Sequence, residues 1–457
     1  MSRAGLVAPA YLGACLLLGG SALSSVAVGV LQLLGLGLMV WALWRRPAEP
    51  LSPAARQLGW LVALLAGLFV VQLVPLPPAV WTLLPGRAPI AAGFALLGGP
   101  LPWQSISLAP YDTIASALTL VPPLAMLALI VVKRACHPAA LALVVLIATA
   151  AGVMLGVLQL SSPDPQHSPY YIQSFANFGA ATGFFANQNH MATLLVCALP
   201  LLAALVAGRG GAGEASTSDR QRRQGAASLV PPAAMAGVVL VGILLNRSLA
   251  GYGLAIPSLI LSLLLIVRLP ARAELAMAGV ALLGMVGFVM LLASPLRASL
   301  FDGDAVGSIA TRQQIGASSL AAAAAVAPVG SGIGTFQALY PRFESRPVEQ
   351  TYINHAHDDY LEVAVEAGLP GLALMLLFLG WWRASVVAML RTPAADAMAR
   401  AGAITSGLVL AHSLVDFPLR TSAIAALFAA SLGLMLVSRT SARRERDWRE
   451  ARHLELG

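Results

Sequence analysis

The stretch 139-AALALVVLIATAAGVMLGVLQL-160 decides the fold class, because it contains no charged residue. A helix over these residues rises about 33 Å at 1.5 Å per residue, which matches the ~30 Å hydrocarbon core of a bilayer. Eleven further apolar runs contain at most one charged residue each, so we expect about twelve membrane helices. The twelve runs are residues 6–23, 26–44, 58–76, 113–132, 139–160, 191–207, 229–245, 249–267, 275–293, 370–390, 401–417 and 423–437.

The composition excludes a soluble globular protein. Of the 457 residues, 58% are hydrophobic and 11% are charged, whereas soluble domains carry about 25% charged residues. So few charges cannot hydrate a surface of this size, which predicts an all-α integral membrane protein in contact with the lipid bilayer. The net charge of +8 does not indicate nucleic-acid binding, because the basic residues lie in short clusters between apolar runs, where they set orientation.

The distribution of the basic residues predicts the orientation of the chain. With a cytoplasmic N-terminus and twelve crossings, 21 of the 28 basic residues lie inside and seven outside, as the positive-inside rule requires. The C-terminus is then cytoplasmic as well. Two shorter apolar stretches, residues 90–101 and the Ala-rich run Ser318–Val329, are interpreted as interfacial or re-entrant, because counting either one would turn the basic tail outward.

This topology leaves three long outer loops, residues 77–112, 161–190 and 294–369. We expect function in the last, which lies between helices 9 and 10, since hydrated loops on a rigid scaffold commonly carry it. Residues 208–228 read as a flexible cytoplasmic linker. The predicted organisation is residues 1–60 with helices 1 and 2, 61–293 with helices 3–9, 294–369 as the long outer loop, 370–438 with helices 10–12, and 439–457 as a basic cytoplasmic tail.

The densest polar cluster of the chain, 354-NHAHDDYLE-362, lies at the end of this loop. Asp358, Glu362 and Glu366 fall at i, i+4 and i+8, which predicts a short helix with a stripe of carboxylates. Gly368 is a typical helix stop and Pro370 a typical first helical residue, so the tenth membrane helix should begin there.

The sequence leaves three interpretations of this cluster open. The carboxylate stripe is an ordinary solvated face, or His355 and His357 bind a metal together with nearby acids. In the third, a neutral imidazole acts as general base and a carboxylate fixes its tautomer. Asp112 and Asp416 lie at membrane boundaries, where an ionised group is costly and indicates a partner or a site.

The run His357-x-x-x-Leu361-x-x-x-x-Glu366-x-Gly368 resembles the signature of the O-antigen ligase family of bacterial glycan transferases. Arg312 stands where the family carries an arginine before a loop helix. Three further stretches resemble family segments, and the similarity extends over roughly residues 60–435 and agrees with twelve helices. These stretches are 328-PVGSGIGTF-336, 184-FFANQNH-190 and 412-HSLVDFP-418.

The chain departs from the family pattern at two places. Asp358 follows His357, where the family often has an amide or a serine. The family's Ser-Arg-x-Gly segment matches 246-NRSLAG-251 only in part: alignment on the arginine gives Arg247, and alignment on Ser248 puts Leu249 in its place. We prefer Arg247, although an arginine at a membrane boundary also commonly snorkels to lipid headgroups.

The resemblance implies transfer of a glycan from undecaprenyl diphosphate to an acceptor hydroxyl at the periplasmic face of the bacterial inner membrane, by a multi-pass enzyme that needs no metal or cofactor. The acceptor would be the lipid A core, a growing glycan or a protein. Positive charge must meet the departing diphosphate, and Arg247 and Arg312 are the candidates, with Arg342 and Arg346 in reserve. The remaining candidates are His357, Glu366 and His355 as catalytic groups, and Asn187, Asn189, Gly332, Gly334 and Asp358 as further substrate contacts.

Other functions are compatible with parts of this pattern. A repeat-unit polymerase or a protein O-oligosaccharyltransferase would use the same donor. A transporter or lipid-linked sugar flippase also commonly has twelve helices, but charges then lie at the bilayer midplane, whereas here they cluster in the outer loops. A metal-dependent hydrolase would use His355 and His357.

Overall fold

A computed structural model describes residues 3–22, 25–44, 50–210, 219–267, 276–277, 279–281, 283–284, 303–344, 353–391 and 396–437. These residues are mostly helical, and their one β-bridge joins Leu76 and Gln104. The predicted all-α class is therefore confirmed. The long helices are α1 Val7–Leu18, α2 Val26–Leu43, α3 Pro53–Leu73, α4 Pro110–Val132, α5 Pro138–Leu160, α6 Gln188–Gly210, α7 Asp219–Asn246, α8 Leu249–Ile266, α9 Gly303–Val326, α10 Asp359–Leu390, α11 Ala397–His412 and α12 Ser422–Val437.

Eight of the described helices are long and apolar enough to cross a membrane, and Arg3–Leu18 and Ser422–Val437 are shorter apolar helices. The expected ninth run, residues 275–293, lies mostly outside the described residues, and so do the C-terminal tail and residues 294–302. The count of twelve and the cytoplasmic placement of both termini therefore remain predictions. The expected linker 208–228 is shorter than predicted, because α6 continues to Gly210 and α7 begins at Asp219.

Helix α6 is the centre of the bundle and packs against α5, α7, α8 and α11. Lipid supplies no hydrophobic driving force between helices, so close packing must hold them together, and small residues allow it. An added Cβ on Gly251 of α8 would lie 2.8 Å from the Cβ of Ala192, and one on Gly402 of α11 would lie 2.5 Å from the carbonyl oxygen of Ser431 in α12. The backbone of α8 thus contacts the Ala192 side chain of α6, and the backbones of α11 and α12 contact each other.

Buried polar side chains fasten the helix ends that the topology puts on the outer side. Gln159 at the end of α5 donates to the carbonyl of Gly183 at 2.9 Å, and Asn246 at the end of α7 donates to the carbonyl of Gln188 at 2.9 Å. At the opposite pole, the indole of Trp381 donates to the carbonyl of Ala54 at 3.0 Å. These bonds tie α5, α7 and α10 to neighbouring segments of the chain.

The two short apolar stretches do not form spans. Residues 88–96 make a nine-residue helix (Ala88–Leu96), and the Ala-rich run is the second half of α9, which packs against α10 and is not a candidate span. Helix α10 is broken at Gly368 (φ 58°, ψ −150°), where the sequence predicts a stop. Its first nine residues thus form a separate short helix, whose N-terminus follows His357.

Candidate active site

His357 and Asp416 form the centre of the site, although 59 residues separate them in the chain. The Nδ1 atom of His357 lies 3.1 Å from Oδ1 of Asp416. No residue in the described part of the chain bonds the Nε2 atom of His357, and its side chain is 22% exposed. A carboxylate on Nδ1 fixes the proton there and leaves the Nε2 lone pair free, which is the arrangement of a general base.

The backbone of His357 is strained, with φ at +53°. Only two other non-glycine residues among those described share this left-handed conformation, Arg134 and Arg247. It costs a side-chain-bearing residue about 1–2 kcal/mol and persists where the surroundings over-determine it. Two of the three such residues are thus candidates that the sequence already indicates.

Arg312 approaches the same carboxylate from α9. Its Nη1 atom donates to the carbonyl of Val415 at 2.8 Å, and Nη2 lies 4.0 Å from Oδ2 of Asp416. The side chain keeps 28% of its surface exposed, so part of the guanidinium remains available to an anion. The structure thus brings together Arg312, His357 and Asp416.

Asp416 is ionised in this arrangement. It lies in the turn between α11 and α12, where its side chain is fully buried. Burial alone would raise the pKa of Asp416, but the hydrogen bond from His357 and the charge of Arg312 outweigh it and hold that pKa below its usual range. Asp416 can therefore accept a hydrogen bond from the Nδ1–H group of His357.

His355 is engaged by a different carboxylate. Its Nδ1 atom lies 2.8 Å from Oε1 of Glu362, and the backbone N–H of Ala356 donates to Oε2 of Glu362 at 2.9 Å. The two histidines point to separate acids on separate segments, and among the described residues no three His, Cys, Asp or Glu side chains are placed so that they could hold one metal ion.

Arg420 lies among the carboxylates of the short helix, in the turn before α12. Its guanidinium contacts Asp359 (Nε to Oδ1, 3.6 Å), Glu362 (Nη2 to Oε1, 3.4 Å) and Glu366 (Nη1 to Oε2, 3.0 Å). Glu362 and Glu366 are each 1% exposed, so the interpretation of this stripe as a solvated face is wrong. Burial alone would lower the pKa of Arg420, but the three carboxylates raise it above its ordinary value.

Glu366 connects this cluster to the glycine-rich segment 330–334. Its Oε1 atom accepts from the backbone N–H of Phe336 at 3.2 Å, and its carbonyl accepts from Gly332 at 2.8 Å. Neither carboxylate oxygen contacts His355 or His357. Gly332 lies against the backbone of Ser107, and Gly334 lies against the carbonyl of Asp112. These glycines therefore turn closely against protein rather than against an open cleft.

Three histidine side chains pack around the ring of Phe417. The ring centroid lies 4.3 Å from that of His355, 5.0 Å from that of His357 and 5.0 Å from that of His190, which is buried. A fourth histidine, His412, is fully buried and its Nδ1 atom lies 2.8 Å from the hydroxyl of Thr193. Two segments that carry the family resemblance, 184–190 and 412–418, thus meet the His357 segment.

The remaining sequence candidates lie at the edge of this cluster. Asn187 accepts from the backbone N–H of Asn189 at 2.8 Å, and Asn189 accepts from the hydroxyl of Ser248 at 2.7 Å. Asp358 caps α10, since its Oδ1 accepts from Tyr360 at 2.9 Å. Arg247 is exposed beside Ser248 and forms no hydrogen bond or ion pair with any described residue.

An apolar groove of about 380 Å³ begins beside the site and runs down the bundle between α3, α4, α10 and α12. It follows α3 from Phe69 to Leu58, about 17 Å at 1.5 Å per residue. Asp359, Glu366 and Arg420 line its polar end. Most of the rest of its wall is hydrocarbon side chains.

Sequence reasoning missed Arg420 and did not assign Asp416 to His357. Asp416 carried a signal, since an acid at a membrane boundary indicates a partner. Arg420 was one of seven expected outer basic residues, but nothing local connects it to carboxylates 54 residues or more away. The site is built from contacts between distant segments, which one sequence does not reveal.

The family model described as O-antigen ligase matches residues 234–376. This segment is roughly a third of the chain, and it contains Arg247, Arg312, the glycine-rich segment and both loop histidines. The match supports the membership in this family that the motifs indicate. No curated protein matches the chain.

Proposed function

We propose that this chain, a member of the O-antigen ligase family, transfers a glycan from undecaprenyl diphosphate to an acceptor hydroxyl at the periplasmic face of the inner membrane. The pair formed by His357 and Asp416 carries the proposal, because its Nδ1 to Oδ1 distance of 3.1 Å leaves Nε2 free to act. Arg312 on the other oxygen of Asp416 adds a positive charge beside it.

In the proposed reaction, Nε2 of His357 takes the proton of the acceptor hydroxyl. The acceptor oxygen forms a bond to the anomeric carbon of the donor glycan, and the bond from that carbon to the diphosphate oxygen breaks. The electron pair leaves on the diphosphate, and the proton remains on His357. Asp416 stabilises the imidazolium that results.

Arg312 is proposed to bind the departing diphosphate with the exposed part of its guanidinium. A charge-assisted hydrogen bond in a partly desolvated site strengthens as charge develops on the leaving group. Arg247 is proposed as a second contact, since it is exposed and has no partner among the described residues. Its left-handed backbone (φ 57°) is typical of functional positions.

The groove supports a lipid-linked donor. Its apolar wall along α3 and α10 suits a polyprenyl chain, and its polar end lies at the helix that follows His357. Asp359 lines that end and lies two residues after His357, so a lipid in the groove would bring its head group to the segment that carries the base. Transfer of a CH₂ group from water to apolar surroundings is favourable by about 0.8 kcal/mol. A lipid tail already lies in hydrocarbon, so its binding in the groove would be stabilised by packing instead.

The test is transfer by the purified protein in proteoliposomes, with a glycan on undecaprenyl diphosphate and separate lipid A core, glycan and protein acceptors. We expect one acceptor to be glycosylated and undecaprenyl diphosphate to be released in equal amount. His357→Ala should lower the rate by on the order of 10²-fold or more, the usual contribution of a general base. The matched control is His167→Ala, an exposed histidine outside the site. Movement of the donor across the bilayer with its diphosphate bond intact would overturn the proposal.

A further inference from the structure

We propose that Arg420 is a positioning residue for the transfer reaction: its guanidinium holds the segment that carries His357 and does not bind the diphosphate of the donor. This inference rests on the proposed function. Arg420 is one of the arginines expected on the outer side, so a diphosphate contact is the obvious alternative.

The contacts of Arg420 leave little of its charge for a substrate. Asp359, Glu362 and Glu366 approach Nε, Nη2 and Nη1 at 3.6, 3.4 and 3.0 Å, so each guanidinium nitrogen faces a carboxylate. Its side chain is 20% exposed. A diphosphate near this guanidinium would also meet three acids, and like charges repel strongly where water is excluded. Arg312, by contrast, has one acidic neighbour among the described residues.

Glu362, which contacts Arg420, also binds the two residues directly before His357. Its Oε1 atom lies 2.8 Å from Nδ1 of His355 and its Oε2 atom accepts from the N–H of Ala356 at 2.9 Å. The strained backbone of His357 follows at once. Such a conformation persists only where neighbouring contacts impose it, and these contacts do so from the N-terminal side.

Asp359, which also contacts Arg420, binds the turn that carries Asp416. Its Oδ2 atom accepts from the hydroxyl of Ser413 at 2.8 Å, and its backbone N–H donates to the carbonyl of Ser413 at 2.9 Å. Ser413, Asp416 and Arg420 all lie in this turn between α11 and α12. One cation therefore fixes both partners of the His357–Asp416 pair relative to each other.

The test compares Arg420→Lys with Arg312→Lys and, as a matched control, Arg56→Lys, an exposed arginine of α3 far from the site. Lysine keeps the charge but has one nitrogen in place of the three that each face a carboxylate here. We expect Arg420→Lys to lower kcat about tenfold with the donor KM changed less than about twofold, because positioning affects the transition state. Arg312→Lys should instead raise the donor KM. Glu362→Gln should reproduce the Arg420→Lys effect, and the double variant should be no slower than either, since both act through one contact.

A second measurement, hydrogen exchange of the peptide 353–358, separates this inference from the proposed function. We expect faster exchange at Ala356 in Arg420→Lys and Glu362→Gln and unchanged exchange in Arg56→Lys. If the wild type transfers no glycan from undecaprenyl diphosphate, the proposed function fails, and exchange alone decides the inference. Two results for Arg420→Lys would overturn the inference. One is a raised donor KM with unchanged kcat, and the other is Ala356 exchange and a kcat that both equal those of the wild type. If Arg420→Lys does not fold, Glu362→Gln decides by the same criteria.

Discussion

Gly368 and Gly330 lie in backbone contact: a Cβ added to Gly368 would lie 2.7 Å from the backbone nitrogen of Gly330. The glycine-rich segment is thereby seated in the kink between the two parts of α10. Gly368 also has φ at +58°, where a side chain is strained. The contact fixes where the short helix of the site ends and where the membrane helix begins.

Gly368→Ala should therefore destabilise the protein by about 1–3 kcal/mol, through backbone strain and the close contact with Gly330. The measurement is thermal unfolding in detergent, followed with transfer activity. Gly380→Ala is the matched control in the same helix, because nothing lies within 4 Å of its Cβ position. The control should be neutral or stabilised by up to about 1 kcal/mol. Equal effects of the two variants would contradict the importance of the kink.

Asp416→Asn should lower kcat on the order of 10²-fold or more and leave the donor KM nearly unchanged. The amide cannot fix the Nδ1 proton of His357 or stabilise the imidazolium as a carboxylate does. Initial rates of glycan transfer measure this effect. Asp112→Asn, an exposed acid also predicted at a membrane boundary, is the control and should keep wild-type rates. An active Asp416→Asn variant would show that the pair is not the catalytic unit.

The same substitution should change the acid stability of the protein. The pKa of Asp416 is depressed in the folded state, and that of an unfolded aspartate is about 3.9. The stabilisation is thus fully present above about pH 4 and is lost as the pH falls further through the folded pKa. Thermal unfolding from pH 7 to pH 2 should show the wild type approaching Asp416→Asn below pH 4. A constant difference over this range would contradict the assignment.

Leu374→Trp should narrow the apolar groove and weaken use of donors with long lipid tails. Leu374 of α10 lines the groove, whereas Leu376 of the same helix is 65% exposed and does not. Overpacking of a filled apolar site typically costs about 1–3 kcal/mol, so we expect the KM for a long polyprenyl donor to rise at least about fivefold. A short-chain donor and the control Leu376→Trp should behave as the wild type. An unchanged KM for the long-chain donor would exclude the groove as the tail site.

The sequence predicts those parts of the molecule that depend on local chemistry. Hydrophobic length marks the helices, and the pair Gly368 and Pro370 marks the kink, because these signals act within one or two helical turns. The left-handed His357 and the pairing of Glu362 with His355 follow from contacts that no local pattern encodes. The acidic stripe illustrates the difference: its spacing is visible in the sequence, but only the position of Arg420 shows that it faces inward.

The turn between α11 and α12 has a consequence for protein engineering. Since it carries Asp416 and Arg420 together, and both act on residues 355–366, these two segments form one exchangeable unit although the chain separates them. A chimaera with another family member should function when both segments come from the same parent. When they come from different parents, the His357–Asp416 pair should lose its alignment.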